Sequence, residues 1–193
     1  MITGSMVAIV TPMKNGHIDE NALRALIERQ IQNGTSCIIP CGTTGESATL
    51  THEEHGQVIQ ITVEQVNKRI KVMAGAGSNA TREAIKLHRE AKKLGADAAL
   101  HITPYYNKPT QEGLFQHFKA IAESEDFPIY LYNVPGRTAV NMLPETVLRL
   151  SQVKNIVGIK EACGNLEQIK KVIEICPKDF IVLSGEDSQT LDM

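Results

Sequence analysis

Seven short runs of apolar, largely β-branched residues recur along the chain at intervals of about 25 to 35 residues. These runs occupy residues 6–10, 37–41, 70–74, 98–103, 128–132, 156–160 and 180–184. The segments between them repeat an apolar residue every three or four positions, and they cover residues 20–33, 53–67, 82–94, 112–123, 144–150 and 166–176. This alternation predicts a parallel sheet whose strands are connected by helices.

The polar segments after the strands distinguish two architectures that share this alternation. Nearly every predicted strand is followed by such a segment, at residues 42–47, 75–79, 104–107, 133–138, 161–165 and 185–187. A (β/α)8 barrel gathers all of its carboxyl-end loops around one mouth, whereas an open sheet uses mainly the loops beside its switch point. The pattern therefore favours an α/β fold of the (β/α)8 TIM-barrel type.

The length of the chain, 193 residues, is short for such a barrel. A closed eight-stranded barrel has at least about 200 residues and typically about 250. No linker or change of composition divides the sequence. We therefore expect one (β/α) barrel domain over residues 1–193 that covers about seven strands and is C-terminally truncated, lacking the last strand and the C-terminal helices. Two unpaired barrel edges would promote aggregation.

Charge and composition exclude several classes of partner. The chain has 20 basic and 22 acidic side chains, so no positive field attracts nucleic acid or an anionic membrane. No apolar stretch approaches the roughly 18 to 20 residues that span a bilayer, and no signal peptide is recognisable. The 4 cysteines are too sparse for a disulfide framework. We expect a cytoplasmic protein that binds neither nucleic acid nor membranes.

Several predicted helices begin after a residue that can cap them. A short polar side chain at this position accepts a hydrogen bond from the first helical turn. The predicted caps are Asp19, Thr51, Thr81, Thr110 and Asn165.

Lys160 is the first candidate for chemistry, because it ends an apolar strand. Alternation along the strand places it on the same face as Gly158, so that it points into the mouth over the space which the glycine leaves. An ordinary amine is only about one part in two thousand neutral at pH 7, but burial favours the neutral, nucleophilic form. Such a lysine forms Schiff bases with ketones. The alternative is a surface lysine that pairs with a carboxylate such as Glu161.

The tyrosines form a second group of candidates, since all 4 fall between positions 105 and 132. Tyr132 is the last residue of its predicted strand, so its phenol could reach the same mouth as Lys160 and relay protons during imine formation. Tyr105 and Tyr130 fit aromatic packing equally well.

Two further segments could bind carboxylates. The turn at residues 42–47 offers N–H groups and the hydroxyls of Thr43 and Thr44, although a plain loop and helix cap would have the same composition. Arg137 lies in the segment after the fifth strand, where a guanidinium suits bidentate carboxylate recognition; an isolated surface arginine is the alternative.

The sequence predicts no metal site. Cys37 and Cys41 would lie about 13 Å apart on an extended strand, too far to bind one ion together. His52 and His55 have no third ligand nearby, and they fit solvated helix residues or, as the alternative, a small-molecule effector site.

Four strings in this order, each on a different strand-end loop, resemble the dihydrodipicolinate synthase family of class I, Schiff-base-forming aldolases. They are GTTGES at 42–47, TPYYN at 103–107, YNVPGRT at 132–138 and GIKEA at 158–162. The resemblance implies a (β/α)8 barrel that condenses pyruvate with L-aspartate 4-semialdehyde in diaminopimelate and lysine biosynthesis. It implies a lyase that needs no cofactor. Cys163 departs from the threonine that relatives often have there.

The resemblance also assigns roles to individual residues. Lys160 would form the pyruvate imine, and Thr43, Tyr106 and Tyr132 would form a proton relay. In this family the residue matching Tyr106 is donated across a tight dimer interface. Substrate binding would fall to Thr44 for the pyruvate carboxylate and Arg137 for the semialdehyde carboxylate, with Gly185 as a further contact.

A second site follows from the same resemblance. In relatives that lysine inhibits, an effector pocket lies at the dimer interface. Its positions match Ser47, Ala48, His52, His55, Asn79, Glu83 and Tyr105. We therefore expect allosteric inhibition by L-lysine and a homo-oligomer, a tight dimer that pairs into a tetramer.

Two alternatives remain open. The chain could be another pyruvate-dependent aldolase of the superfamily, such as an N-acetylneuraminate lyase or a keto-deoxy sugar acid aldolase; Arg137 and the Tyr105–Tyr106 pair favour the synthase. A non-catalytic barrel that binds a keto acid is the second alternative.

Overall fold

The computed structural model describes residues 2–193 and divides them into two compact units. The first unit runs to Ala76 and includes Arg89–Ala99, and the second comprises Gly77–His88 and Leu100–Met193. Helix α3 (Thr81–Lys93) and strand β6 (Ala98–Ile102) each contribute residues to both. Among the described residues, no helix is both long and apolar enough to cross a membrane.

The first unit has three parallel strands in the order β1 (Met6–Ala8), β4 (Cys37–Ile39) and β5 (Lys71–Gly75). Helices α1 (Glu20–Gln32) and α2 (His52–Val66) join them, and they bury apolar side chains such as Leu23, Ile27 and Ile59. Side chains on β4 are fully buried, as expected for a parallel strand covered on both faces.

A small hairpin that was not predicted precedes α1. Strands β2 (Met13–Lys14) and β3 (His17–Ile18) pair in antiparallel fashion. Asn15 and Gly16, which connect them, both have positive φ angles of 54° and 81°. This is the Asn-Gly signal of a two-residue hairpin turn, but the strands are too short to show any periodicity.

The second unit continues from β6 to parallel strands β7 (Ile129–Asn133), β8 (Ile156–Glu161) and β9 (Ile181–Ser184), in that order. Its helices are α4 (Gln111–Ser124), α5 (Pro135–Thr138), α6 (Pro144–Ser151) and α7 (Leu166–Ile175). The apolar faces of α4, α6 and α7 pack on the sheet, and the buried core includes Phe118, Ile121, Leu131, Leu150, Ile159 and Val172. This packing fixes the ends of β7 and β8, where the candidate residues lie.

The seven predicted strands correspond to β1 and β4–β9, and the six predicted helices correspond to α1–α4, α6 and α7. The first two strands are shorter than predicted: β1 ends at Ala8 and β4 at Ile39. Helix α5 lies within the segment 133–138, which was predicted to be a loop. Short 3-10 turns at Ser47–Thr49 and Asp187–Gln189 were also not predicted.

Candidate active site

Lys160 and Tyr132 lie side by side on neighbouring strands of the second unit. The parallel register pairs Tyr132 of β7 with Lys160 of β8. The Lys160 Nζ atom lies 4.6 Å from the centre of the Tyr132 ring. Both side chains are half-buried, so an amine and a phenol share one partly desolvated position at the carboxyl ends of the strands.

The loop after β9 packs closely against Lys160. Gly185 N–H donates to the Glu161 carbonyl oxygen at 2.6 Å. A Cβ atom at Gly185 would lie 2.9 Å from Lys160 Cε. Any residue other than glycine would therefore displace the lysine side chain from its present conformation. Burial lowers the pKa of Lys160 below its ordinary value, and the charge of Asp187 opposes this shift. The lowered pKa increases the neutral, nucleophilic fraction of the amine.

The environment of Tyr132 shifts its pKa in the opposite direction. Burial raises the pKa of Tyr132; the charge of Arg137 lowers it, and that of Glu186 raises it. The phenol therefore stays protonated at neutral pH and can donate a proton. Arg137 is exposed on α5. At the end of this short helix, the Thr138 hydroxyl lies 3.2 and 3.0 Å from the Val134 and Val140 carbonyl oxygens and can donate its proton to either.

The space over Gly158 is filled by Tyr130, so the prediction that Lys160 extends over it was wrong. A Cβ atom at Gly158 would lie 2.9 Å from two carbons of the Tyr130 ring and 2.6 Å from the Ile181 carbonyl oxygen. The two residues are paired in register, and Tyr130 is almost completely buried. Tyr130 is thus a packing residue on the strand face that carries Lys160.

Glu161 does not pair with Lys160, which was the alternative reading of the lysine. Its side chain is fully buried, and Asn133 Nδ2 donates to its two carboxylate oxygens at 3.1 and 3.3 Å. Burial raises the pKa of Glu161 to about 7, against the opposing effects of hydrogen bonds from Cys163 and Asn133. Burial likewise raises the pKa of the Cys163 thiol to about 11.

Thr43 and Thr44 are exposed on a tight turn of the first unit. Gly45 N–H and Ser47 N–H both donate to the Gly42 carbonyl oxygen, at 3.0 and 3.4 Å. A Cβ atom at Gly45 would lie 3.0 Å from the Ile9 carbonyl oxygen, so the turn requires a glycine there. The turn presents both threonines to solvent, and their role in binding a carboxylate stays a prediction.

Tyr105 and Tyr106 lie in the loop after β6, and both are exposed, Tyr106 by 90%. Tyr106 has a φ angle of 72°, which is uncommon for a side chain of this size. Asn79 Nδ2 donates to the Tyr105 carbonyl oxygen at 3.2 Å, and Asn107 Nδ2 donates to the Asn79 carbonyl oxygen at 3.2 Å.

Three of the predicted effector residues therefore fall in one region of the second unit. The side chain of Asn79 contacts Tyr105, and the neighbouring Ser78 hydroxyl donates to the Glu83 carboxylate. The other four lie in the first unit: Ser47 and Ala48 are in the 3-10 turn, and His52 and His55 are in the first turn of α2. His52 is exposed, whereas His55 is buried, so the description of His55 as a solvated residue was wrong.

Within residues 2–193, no group of three or more histidine, cysteine or acidic side chains is arranged to hold a metal ion. Burial raises the pKa values of Cys37 and Cys41 to about 12, so both are neutral thiols at pH 7.

Glu186, Asp187 and Asn133 were not predicted as site residues. The charge of Asp187 acts on Lys160 and that of Glu186 on Tyr132, and both acids follow β9, which pairs with β8. The glycine-rich segment after β9 marked the loop, but no spacing in the sequence connects it to Lys160. Asn133 follows Tyr132 on β7, so its side chain lies on the opposite face of the strand, as the alternation of side chains along a strand predicts.

Comparisons with known proteins show which family the chain resembles. A sequence model of the dihydrodipicolinate synthetase family matches residues 1–193. The 4-hydroxy-tetrahydrodipicolinate synthase of Syntrophus aciditrophicus is 61% identical over 193 residues, which are 100% of this chain and 66% of that protein. The chloride-inhibited dihydrodipicolinate synthase of Acinetobacter baumannii, solved in complex with pyruvate, is 52% identical with a TM-score of 0.97, over 100% of this chain and 66% of its own. The enzyme of Cyanidioschyzon merolae, solved with lysine bound, is 42% identical with a TM-score of 0.96, over 99% of this chain and 66% of its own.

These similarities confirm the predicted fold class, an α/β fold of the (β/α)8-barrel type of which this chain covers about seven strands. The chain belongs to the dihydrodipicolinate synthetase family. It spans about two thirds of the length of the relatives that it matches.

Proposed function

We propose that this chain belongs to a 4-hydroxy-tetrahydrodipicolinate synthase, a lyase that condenses pyruvate with L-aspartate 4-semialdehyde in diaminopimelate and lysine biosynthesis. The observation that carries the proposal is the half-buried Lys160, whose lowered pKa and contact with Tyr132 suit a Schiff-base lysine. Family membership over the whole chain supports the choice of reaction.

In the proposed mechanism, the neutral amine of Lys160 adds to the ketone carbon of pyruvate, and loss of water gives an imine. Loss of a proton from the methyl carbon gives an enamine, which attacks the aldehyde carbon of the semialdehyde. Tyr132 donates and accepts the protons, together with Thr43 and with Tyr106, which in this family crosses a dimer interface. The amine itself carries the chemistry, so the proposal includes no cofactor.

Three residues would hold the substrates. Thr44 and the N–H groups of its turn suit the pyruvate carboxylate, and Arg137 suits the carboxylate of the semialdehyde. Gly185 suits a substrate contact because its backbone borders Lys160.

Borohydride reduction in the presence of pyruvate tests this proposal. In the intact protein, we expect a stable adduct on the peptide that contains Lys160, because borohydride reduces an imine to a secondary amine. Lys160→Ala should abolish the adduct, whereas Lys154→Ala should not, because Lys154 is a surface residue with an 83% exposed side chain. An unmodified Lys160 in the wild-type protein, or an adduct that survives in Lys160→Ala, would contradict the proposal.

Substrate choice separates the alternatives. Turnover of a sugar acid without turnover of aspartate semialdehyde would assign the chain to another pyruvate-dependent aldolase. Binding of pyruvate without an imine or turnover would instead support a keto-acid-binding barrel.

We further propose that L-lysine inhibits the enzyme through the predicted effector residues. An ammonium group needs oxygen acceptors. This region offers the Tyr105 carbonyl oxygen, which Asn79 contacts, and the Glu83 carboxylate, which lies beside Ser78. The lysine-bound relative from Cyanidioschyzon merolae supports this choice of ligand.

Removing the Glu83 charge should weaken this inhibition. Hydrogen bonds to charged groups contribute about 1.5 to 3 kcal/mol, so we expect Glu83→Gln to raise the half-inhibitory lysine concentration at least about tenfold. Glu174→Gln makes the same change on an exposed residue of α7 and should leave the inhibition curve where it is. Identical curves for wild type and Glu83→Gln would show that this carboxylate does not bind the effector.

The proposal includes a homo-oligomer and a cytoplasmic location. The 90% exposure of Tyr106 in the single chain supports a partner that covers it, as in a tight dimer that pairs into a tetramer. The four cysteines are free thiols, which a reducing compartment preserves.

A further inference from the structure

A buried amide and a buried carboxylate lie directly behind the Lys160–Tyr132 pair. Asn133 follows Tyr132 on β7 and Glu161 follows Lys160 on β8, and these two residues are also paired in register. Because side chains alternate along a strand, Asn133 and Glu161 occupy the opposite face of the sheet from the reactive pair. Neither side chain is exposed, and Asn133 Nδ2 bonds the Glu161 carboxylate.

This contact continues into the segment that follows α5. Asn133 Oδ1 accepts from Met142 N–H at 3.0 Å, and Asn133 Nδ2 lies 2.9 Å from Asn141 Oδ1. The amides of Asn141 and Gln168 exchange two hydrogen bonds, at 2.8 and 3.1 Å, which brings α7 into the network. The pair thereby fixes the chain on both sides of the short helix that carries Arg137.

The backbone of Glu161 reaches the reactive lysine from a second side. Its carbonyl oxygen accepts from Gly185 N–H, and the Gly185 backbone packs against the Lys160 side chain. Ala162 N–H donates to the Asn133 carbonyl oxygen at 2.9 Å, which joins the two strands just beyond the pair. A displacement of Glu161 would therefore move both the strand that carries Lys160 and the loop that confines it.

We propose that Asn133 and Glu161 are positioning residues that hold Lys160 and Tyr132 in the geometry for imine formation. They act through the backbone of β7 and β8 and do not touch the substrate. This inference rests on the proposed function, since it concerns the same lysine.

Glutamine is the conservative replacement at this position. Burial raises the pKa of Glu161 to about 7, so the carboxyl group is already protonated in a large share of molecules at neutral pH. A glutamine has the same length as the protonated acid and retains an oxygen that accepts from Asn133. If position is what matters, Glu161→Gln should behave like the wild type, whereas Glu161→Ala should not.

The first measurement needs no substrate. Competitive acetylation across a pH series, read by peptide mass, reports the pKa and exposure of Lys160 against the exposed Lys154 of the same molecule. In Glu161→Ala, we expect the Lys160 profile to move toward that of Lys154, because a lysine that is no longer held in place reaches solvent. In Glu161→Gln, we expect the wild-type profile.

The second measurement is the rate of borohydride trapping with pyruvate. A misplacement of about 1 Å can cost up to about a hundredfold in rate, so we expect Glu161→Ala to slow trapping at least about tenfold. We expect Glu161→Gln to remain within about threefold of wild type. Thr62→Val is the matched control, because it also removes a fully buried hydrogen bond, from the Thr62 hydroxyl to the Val58 carbonyl oxygen.

The outcomes separate this inference from the proposed function. If folded Glu161→Ala shows the wild-type acetylation profile and trapping rate, the positioning role is wrong. If Thr62→Val slows trapping as much as Glu161→Ala does, the effect is general destabilisation and the role is also wrong. A wild-type protein that forms no pyruvate adduct overturns the proposed function, while the acetylation profiles still decide the role of Glu161. Should Glu161→Ala not fold, Glu161→Asp shortens the side chain by one methylene and is judged by the same two measurements.

Discussion

At the scale of single residues, Gly158 sets the packing on the strand face that carries Lys160. Its neighbours are the ring of Tyr130 on β7 and the Ile181 carbonyl oxygen on β9. Neither group can shift easily, because Tyr130 is almost completely buried and Ile181 belongs to β9, which is paired with Gly158. A larger residue at this position has no space to enter.

Gly158→Ala should therefore destabilise the protein. Overpacking of a tight core typically costs about 1 to 3 kcal/mol, and urea unfolding should show a loss of this size. Gly136→Ala is the control: a Cβ atom there meets nothing within 4 Å, and the residue lies in helix α5. We expect that change to be neutral or to stabilise by up to about 1 kcal/mol. If Gly158→Ala were as stable as wild type, the Tyr130 ring and strand β9 would have to move aside at little energetic cost, which would contradict the prediction.

The same two strands illustrate which residue-level features a sequence reveals. The position of Lys160 at a strand end and that of Tyr132 at the end of the preceding strand followed from alternation and from the turn segments after them. The neighbours of Lys160 did not follow. Tyr130 rather than the lysine covers Gly158, and Glu161 pairs with Asn133, because both contacts depend on the register between β7 and β8. Register between distant segments has no local sequence signal.

At the scale of elements, the sequence predicts helix caps well, because a cap depends on residues of one segment alone. Asp19, Thr51, Thr110 and Asn165 each accept a hydrogen bond from the first turn of the following helix, and Thr51 forms a reciprocal capping box with Glu54. Thr81 was predicted as a cap as well, but it is the first residue of α3, and its hydroxyl contacts His117 Nδ1 at 2.9 Å. A tertiary partner on another helix thus decides its role.

The elements missed by the sequence are all short. Helix α5 has 4 residues, and β2 and β3 have 2 each, so none is long enough to repeat its own periodic pattern. Pro135 at the start of α5 is a helix-start signal, but the polar segment around it predicts a loop. The helix matters to the site because it carries Arg137.

At the scale of the whole molecule, two buried groups change the stability with pH in opposite directions. Burial lowers the pKa of His117 from 6.5 to about 4, so its contribution is complete above pH 6.5 and is lost as the pH falls toward 4. Burial raises the pKa of Glu161 from 4.5 to about 7, so its contribution is present below pH 4.5 and is lost as the pH rises through 7.

These two effects nearly cancel between pH 7 and pH 5. With the pKa values above, each changes the free energy of unfolding by about 2 kcal/mol over this range, His117 downward and Glu161 upward as acid is added. His101 adds a further effect, in the same direction as that of His117. It is fully buried, and burial lowers its pKa, with further lowering by the charges of His88 and His117. The wild-type protein should therefore lose stability on acidification through His101.

Single substitutions should separate the two opposing groups. Glu161→Gln removes the carboxyl that gains protons on folding, so between pH 7 and pH 5 it should lose about 2 kcal/mol more stability than wild type does. His117→Asn removes the imidazole that resists protonation, so over the same range it should lose about 2 kcal/mol less than wild type does. Urea unfolding of the three proteins at both pH values measures these differences. The quantity compared is the change in the free energy of unfolding between the two pH values in each protein, so the pH-independent loss of the His117–Thr81 contact cancels. Parallel dependence on pH in all three proteins would mean that neither group titrates differently in the folded and unfolded states.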